Sequence, residues 1–285
     1  MREGVITAYT AAAAEACADL YNRVLGRLPT FVAVDGESLH RGVTAPESFH
    51  DEVADGTALL ATGAGGLSGW AAVCRRRPGP EAPWDAVVRG LCVPAVEPGT
   101  VAELLAAVRA WAGGGRVVIG GSGGPRFQNG GEAALPESTG LGPALLGCGM
   151  RLTDRVLVLQ GPVEEATPAA GPAEIAAADD HGSCRAVVGG ECVGECWVDP
   201  AAGFSSHPLA SEHAFVQWIG TEPAWRGRGV ARQMWAFTCS GLHGRGVRRI
   251  SLSTPCSNFD AQAFYFRVGL QVVDHGLGFE GPAQA

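Results

Sequence analysis

The sequence predicts an α/β protein made of two tandem units, the second shortened, and three observations carry that reading. Strand-like and helix-like stretches alternate along the whole 285 residues. A Pro-, Ala- and Glu-rich seam at 162–173, PVEEATPAAGPA, interrupts the alternation. The order of elements before the seam returns after it: PAVEPGTVAELL from Pro94 lies over PAWRGRGVARQM from Pro223 at an offset of 129 residues. The expected division is therefore 1–161, a linker at 162–173, and 174–285.

Taken in order, 4–9 reads as a strand, 11–24 as a helix and 46–54 as a second, short helix. Strands are expected at 58–61, 67–75 and 86–93, then a helix over 101–112 and a strand at 117–119. A looser stretch leads to a short helix at 141–148 and a strand at 155–160. After the seam, 184–188 and 191–198 form a hairpin around Gly189-Gly190, a pair that accepts positive φ. A strand at 214–221, a helix at 230–242, a strand at 247–253, a helix at 261–268 and a strand at 270–274 complete the pattern. The chain ends at Ala285, which leaves little for a full closing strand, so the second unit is expected to lean on the first.

Composition narrows the function classes. The hydrophobic fraction of 46% and charged fraction of 18% are globular values. All 21 basic residues are arginine, and the formal charge of −8 argues against a general nucleic-acid binder, which needs a basic face to displace counterions. No charge-free apolar stretch is long enough to span a membrane. The alanine run 11–14 is broken at once by Glu15 and Asp19, unlike a signal peptide. Nine cysteines, an odd number without metal-ligand spacing, point to a reduced, cytoplasmic protein that binds no metal. Cys192 and Cys196 read as small buried thiols on a strand.

The chemistry concentrates after the strand 214–221. There EPAWRGRGVARQMWAF opens a helix with the spacing Arg226-x-x-Gly229-x-Ala231. Backbone N–H groups of such a loop converge with the helix dipole on one point, which suits an anion. Gly227 and Gly229 admit a phosphate close to the main chain, Val230 and Ala231 keep the first turn narrow, and Arg226, Arg228 and Arg232 add charge. Between 223 and 250 there are six arginines and no acid. A dinucleotide fingerprint needs a small residue where Arg232 stands, and a P-loop needs a lysine that the chain lacks.

Downstream lies NFDAQAFYFRVGLQVV, with Asn258, Ala261, Phe264, Tyr265, Gly269 and Leu270 in register. Together the two motifs resemble the GNAT acyl-CoA N-acyltransferase superfamily, strongly over 183–275 and in layout over 1–161. The resemblance implies two GNAT-like units, each a mixed, mostly antiparallel sheet flanked by helices. It implies a coenzyme A pyrophosphate on the 226–232 loop and acetyl-CoA as co-substrate. Pantetheine would pair with the backbone of Ile219, Gly220 and Thr221, beside a neighbouring strand that splays away. Tyr265 would protonate the leaving thiolate, although its place with Ala261, Phe264 and Val268 on one helix face also admits a core tyrosine. Asn258 reads either as a helix cap or as a partner of pantetheine, and Leu270 keeps an apolar plug where the family has Phe.

Many relatives carry a glutamate where Phe215 stands, which leaves the base open. His213 and Gln217 share the Phe215 face by period two, and Glu212 and Glu195 are further candidates, as is a water chain. In the first unit Glu97 and Thr100 replace Arg226 and Gly229, so that unit is expected to have lost coenzyme binding and to serve as scaffold and pocket wall. From 164 to 222 ten acids face one base, Arg185, which suits a small cationic amine as acceptor. The leading expectation is an acetyl-CoA-dependent N-acetyltransferase acting by direct transfer in a ternary complex. The alternative is a non-catalytic acyl-CoA sensor or regulatory protein. The tandem units are compatible with a monomer.

Overall fold

The computed structural model describes residues 5–45, 52–77, 79–94, 98–120, 134–166 and 169–282. The first half runs β1 (Val5–Ala8), α1 (Ala14–Leu25), α2 (Gly36–Thr44), β2 (Glu52–Gly63), β3 (Gly66–Arg77), β4 (Asp85–Cys92), α3 (Pro98–Ala112), β5 (Val117–Ile119), β6 (Leu135–Pro136), α4 (Gly142–Gly147) and β7 (Arg151–Pro162). The second half runs β8 (Glu174–Ala177), β9 (Cys184–Val188), β10 (Glu191–Pro200), β11 (His213–Thr221), α5 (Val230–Gly244), β12 (Arg249–Pro255), α6 (Phe259–Arg267) and β13 (Gln271–Gly281). Among the described residues, no helix of the second half corresponds to α1 or α2.

All thirteen strands form one sheet in the order β1-β2-β3-β4-β5-β13-β7-β12-β11-β10-β9-β8, with β6 on β13. The order is a palindrome of the two repeats, with β7 and β13 exchanged at its centre. β13, the last strand of the second half, pairs with β5 through Phe279–Ile119 and neighbouring residues. β7, from the first half, pairs with β12 from Arg249↔Pro162 to Pro255↔Val156. β7 and β13 pair with each other, antiparallel, between these contacts. Each half is thus closed by a strand of the other. The repeat also shows in a shared irregularity: β4 carries an extra residue, Arg89, between the Ala72↔Gly90 and Val73↔Val88 pairs. β11 carries Gln217 between the Trp197↔Trp218 and Val198↔Val216 pairs.

Three apolar clusters hold the layers together. α3 and α4 cover one face of the first half, with Leu277 and Phe279 of β13 inside that core. α5 and α6 cover the same face of the second half, over Cys196, Ala214 and Val216. The opposite face carries α1 and α2, and their cluster reaches across the repeats to Ala201, Phe204, Ala210 and Phe215. The first half therefore supplies helices to both repeats on that face.

Several expectations need correction. No helix occupies 46–54: residues 52–54 belong to β2, and 46–51 lie outside the described residues. The second helix is α2, ten residues earlier, where Asp35 caps the first turn by accepting from Ser38 N–H at 2.7 Å and Leu39 and Val43 are buried. Cys192 is exposed while Cys196 is buried, because a register shift between Cys192 and Gly194 turns the former out of the core. The closing strand is eleven residues long rather than a stub. Phe279→Ala, which opens a cavity in the first-half core from a second-half strand, is expected to cost about 3–5 kcal/mol in urea unfolding. A loss under about 1 kcal/mol would show that β13 does not close the first half.

Candidate functional site: an open strand edge above a glycine cradle

β11 parts from β12 almost at once. Their parallel ladder covers His213↔Arg249, Ala214↔Ile250 and Phe215↔Ser251 and stops, while pairing of β11 with β10 continues to Gly194↔Thr221. The splay expected at Ile219, Gly220 and Thr221 is present. A buried polar chain pins the ladder below it. Gln160 Nε2 donates to Ser251 Oγ at 3.1 Å and to the Pro29 carbonyl at 2.9 Å, and Ser251 Oγ lies 2.8 Å from His213 Nε2. The Gln217 bulge follows immediately. It interrupts the regular pairing of β11 with β10 between Val216 and Trp218.

At the far end of the splay, Glu222 N–H bonds to Val193 O at 2.9 Å and a short turn, Pro223–Trp225, leads into the loop. Arg226 Nε donates to Thr221 O at 3.2 Å, and Arg228 stacks 5.0 Å from the centre of the Trp225 ring. Gly227 and Gly229 have φ of 72° and 88°, a region that an L side chain rarely adopts, and the space where their side chains would stand is open. Gly229 is the N-cap of α5 and offers no side-chain acceptor, so the first-turn N–H groups at Val230, Ala231 and Arg232 stay directed at the loop. Arg226, Arg228 and Arg232 are all exposed. A cradle of backbone N–H groups, a helix dipole and three guanidinium groups meets the demands of a diphosphate.

α6 lies on the same side. Ala261, Phe264 and Val268 pack with Ile219 and Trp225 against the core that contains Tyr265. Phe264 meets Trp235 edge-on at 6.1 Å and Tyr265 at 5.6 Å. Tyr265 is 7% exposed, and burial first, then the nearby Cys196 thiol, pushes its hydroxyl up to about 12, so it stays protonated. Asn258 Oδ1 accepts from Ala261 N–H at 3.3 Å, which is the capping role of its two readings.

The candidate bases are not gathered at one point. Phe215 is buried, stacked on His213 at 4.4 Å and beside Phe204 at 5.9 Å. His213 is 1% exposed, and desolvation, then the charge of Arg249, lowers its pKa from 6.5 to about 3, so it is a neutral, weak base at the closed end of the ladder. Glu212 is exposed beside it, on the order of 25 Å along β11 from Gly220 at about 3.3 Å per residue. Glu195 is the Cα partner of Gly220; it accepts from Arg185 Nε at 3.0 Å and from Trp197 Nε1 at 3.3 Å. Of the three, Glu195 alone stands level with Gly220, across the β10–β11 ladder and so on the side of β11 away from the open edge.

The corresponding connection in the first repeat is shorter. Its helix starts at Pro98, directly after a five-residue connection from Cys92, whereas the second repeat uses 222–229. Thr100, aligned with Gly229 by sequence, sits within α3 and packs its methyl against Gly69. Proline at the first helical position favours this early start. Glu97 lies outside the described residues. Among the described residues no group of three His, Cys, Asp or Glu side chains is placed to hold a metal ion, and no helix is long and apolar enough to cross a membrane.

Comparison with known proteins agrees with this geometry. Residues 156–270 match the acetyltransferase (GNAT) family model, beginning inside β7. Among solved structures, the chain is similar to a GCN5-related N-acetyltransferase from Sphaerobacter thermophilus, with TM-score 0.70, 17% identity, and 100% of this chain and 97% of that one covered. It is also similar to a tandem GNAT protein from the clavulanic acid biosynthesis pathway, with TM-score 0.72, 13% identity and 99% of each chain covered. A glucosamine N-acetyltransferase region of a fungal multi-domain β-N-acetylglucosaminidase aligns with TM-score 0.70 at 14% identity, over 98% of this chain and 38% of that one. No curated protein matches the sequence. Residues 156–270 thus match the acetyltransferase (GNAT) family model, and the fold of the whole chain is similar to that of a tandem GNAT protein. The chemistry of that family is acetyl transfer from an acyl-CoA.

Burial of His213 has a consequence for stability. On unfolding its pKa returns to about 6.5, so between pH 6.5 and about 3 the unfolded chain binds a proton that the native protein does not. This contribution is fully present above pH 6.5 and is lost as pH falls through the window. Urea unfolding is expected to lose up to ~1.4 kcal/mol per pH unit there, and His213→Gln to flatten that slope. An unchanged slope in the variant would place the titration elsewhere.

Proposed function

We propose that the protein is an acetyl-CoA-dependent N-acetyltransferase that acylates the primary amine of a small, cationic acceptor by direct transfer in a ternary complex. The observation that carries this reading is the splay of β11 from β12 ending in the Gly227/Gly229 cradle. The loop N–H groups and Arg226, Arg228 and Arg232 would hold the diphosphate. Backbone groups of Ile219, Gly220 and Thr221 would pair with the amide-bearing arm, and Phe264 and Ile219 would flank it. Acetyl-CoA supplies the activated acyl carbon.

The reacting amine must first lose a proton, because an ammonium has no lone pair. Glu195, alone among the candidate carboxylates in standing level with Gly220, would receive it through water. The Tyr265 hydroxyl, kept protonated by burial, is suited to return a proton to the departing sulfur as the carbon–nitrogen bond forms and the carbon–sulfur bond breaks. The acceptor side is acidic. Glu174, Glu195 and Asp199 project from the sheet face opposite α5, while the cradle arginines lie at the helix end. Such a field draws a cationic amine toward one side and the coenzyme toward the other. The first half is proposed as scaffold and pocket wall, with no coenzyme of its own.

Gly229→Glu and Arg226→Glu are expected to abolish coenzyme A binding in calorimetry while leaving the fold intact. Tyr265→Phe is expected to lower turnover about 10²- to 10⁴-fold with acetyl-CoA affinity preserved. Unchanged coenzyme affinity in both cradle variants would refute the diphosphate assignment. Binding without release of free thiol, under any amine, would favour the sensor reading.

A further inference from the structure

Tryptophan in this protein follows a pattern with a single exception. Trp70 and Trp235 are buried. Each half-buried tryptophan has an arginine over its ring: Arg77 at 4.8 Å from Trp84, Arg75 at 5.3 Å from Trp111, Arg185 at 5.5 Å from Trp197 and Arg228 at 5.0 Å from Trp225. Trp218, 60% exposed and the most exposed of the seven, has no cation over its ring among the described residues.

Its placement is not that of a loose surface side chain. The indole folds along β11 onto Gly220, so closely that a β-carbon at 220 would lie 2.8 Å from Trp218 Nε1 and 2.9 Å from Cε2. One face of the ring is therefore laid on the strand and the other is left to solvent. Trp218 pairs with Trp197 and Ile219 pairs with Cys196. Because Ile219 and Cys196 pack under α5 and α6, alternation puts Trp218 on the opposite face, where Glu195 stands across from Gly220. That face is bare here because the second half has no counterpart of α1 and α2. Trp197 and Glu195 are already engaged by Arg185, which leaves the outer face of Trp218 as a vacant cation-binding surface at the mouth of the splay.

We propose that this indole face binds a cationic group of the acceptor other than the amine that is acylated, so that the acceptor is a diamine or an aminoalkyl-ammonium compound. The inference rests on the acetyltransferase reading above and adds the substrate class. A π face beside carboxylates favours the charged form of whatever nitrogen sits on it, whereas the attacking nitrogen must be neutral. The two nitrogens therefore occupy different places: one on Trp218, the other within reach of the thioester at the splay. Glycine at 220 is required for the same reason, since any side chain there would displace the indole.

The test compares two shape-matched amines, (2-aminoethyl)trimethylammonium and 3,3-dimethylbutylamine, which differ only in a quaternary nitrogen in place of a carbon. Both are titrated calorimetrically into the full-length protein, with and without saturating coenzyme A. The trimethylammonium probe is expected to bind roughly 3- to 30-fold tighter than its carbon analogue, as an indole–cation contact predicts. The preference should vanish in Trp218→Leu and persist, reduced, in Trp218→Phe, with coenzyme affinity equal in all three proteins. No binding of the trimethylammonium probe, equal binding of the two amines, or a preference that survives Trp218→Leu would overturn the proposal. Failure of coenzyme A to bind in the same titrations would instead count against the acyl-CoA reading.

Discussion

The exchange of β7 and β13 at the centre of the sheet is the constraint on which the rest of the structure depends. Phe279 and Leu277, from the end of the chain, are buried in the core under α3 and α4. Leu159 and Val163, from before the seam, are buried in the core under α5 and α6. Neither half can close its sheet without the other. The exchange also sets β7 beside β12, which fixes β12 against the first half while β11 continues straight with β10. The buried Gln160–Ser251–His213 chain marks the last point at which all three strands stay together.

This arrangement explains how a repeat without its first two helices is stable. In the first half α1 and α2 cover Trp70, Ala72 and Cys92; the same cluster extends to Phe204 and Phe215 of the second half. Ser205 Oγ bonds to Ala33 O, and Ser206 N–H meets Ser38 Oγ at 3.4 Å, so the segment after β10 is fastened to the helices of the first half. Coverage stops at the start of β11. Beyond it the face holding Arg185, Glu195, Trp197 and Trp218 is left to solvent. With no helices over it among the described residues, this side of the sheet is open, and α5 with the loop that starts it lies on the other side.

What was legible in the sequence is what is local. Glycine spacing at 227 and 229, the apolar face of α6 around Phe264 and Tyr265, and the Gly189-Gly190 hairpin turn, with φ of 59° and 88°, are written in neighbouring residues. α2 carried a capping signal in Asp35 and Ser38 that hydrophobic periodicity alone passes over, because only Leu39 and Val43 of its apolar residues are buried. β8 is four exposed or half-exposed residues, too few to show a period. β13 was underestimated because Gly276 and Gly278 interrupt its pattern; Gly276 is needed where a β-carbon would strike Val156 and Ala134. The exchange of β7 with β13 joins residues more than a hundred positions apart and leaves no mark in either segment. The bulge at Gln217 and the exposure of Trp218 are consequences of pairing, so they too had to be seen in three dimensions.

On the function proposed above, the open edge of β11 and the cradle that follows it form a single site for the acyl-CoA. Hydrogen–deuterium exchange with and without coenzyme A addresses it directly. Amides of 216–221 and 227–232 should slow together when coenzyme A is added, as strand-edge groups and loop N–H groups acquire acceptors. The corresponding first-half amides of β4 and the start of α3 should not change. Protection at α3 in place of α5, or slowing at the loop without slowing at the β11 edge, would contradict it.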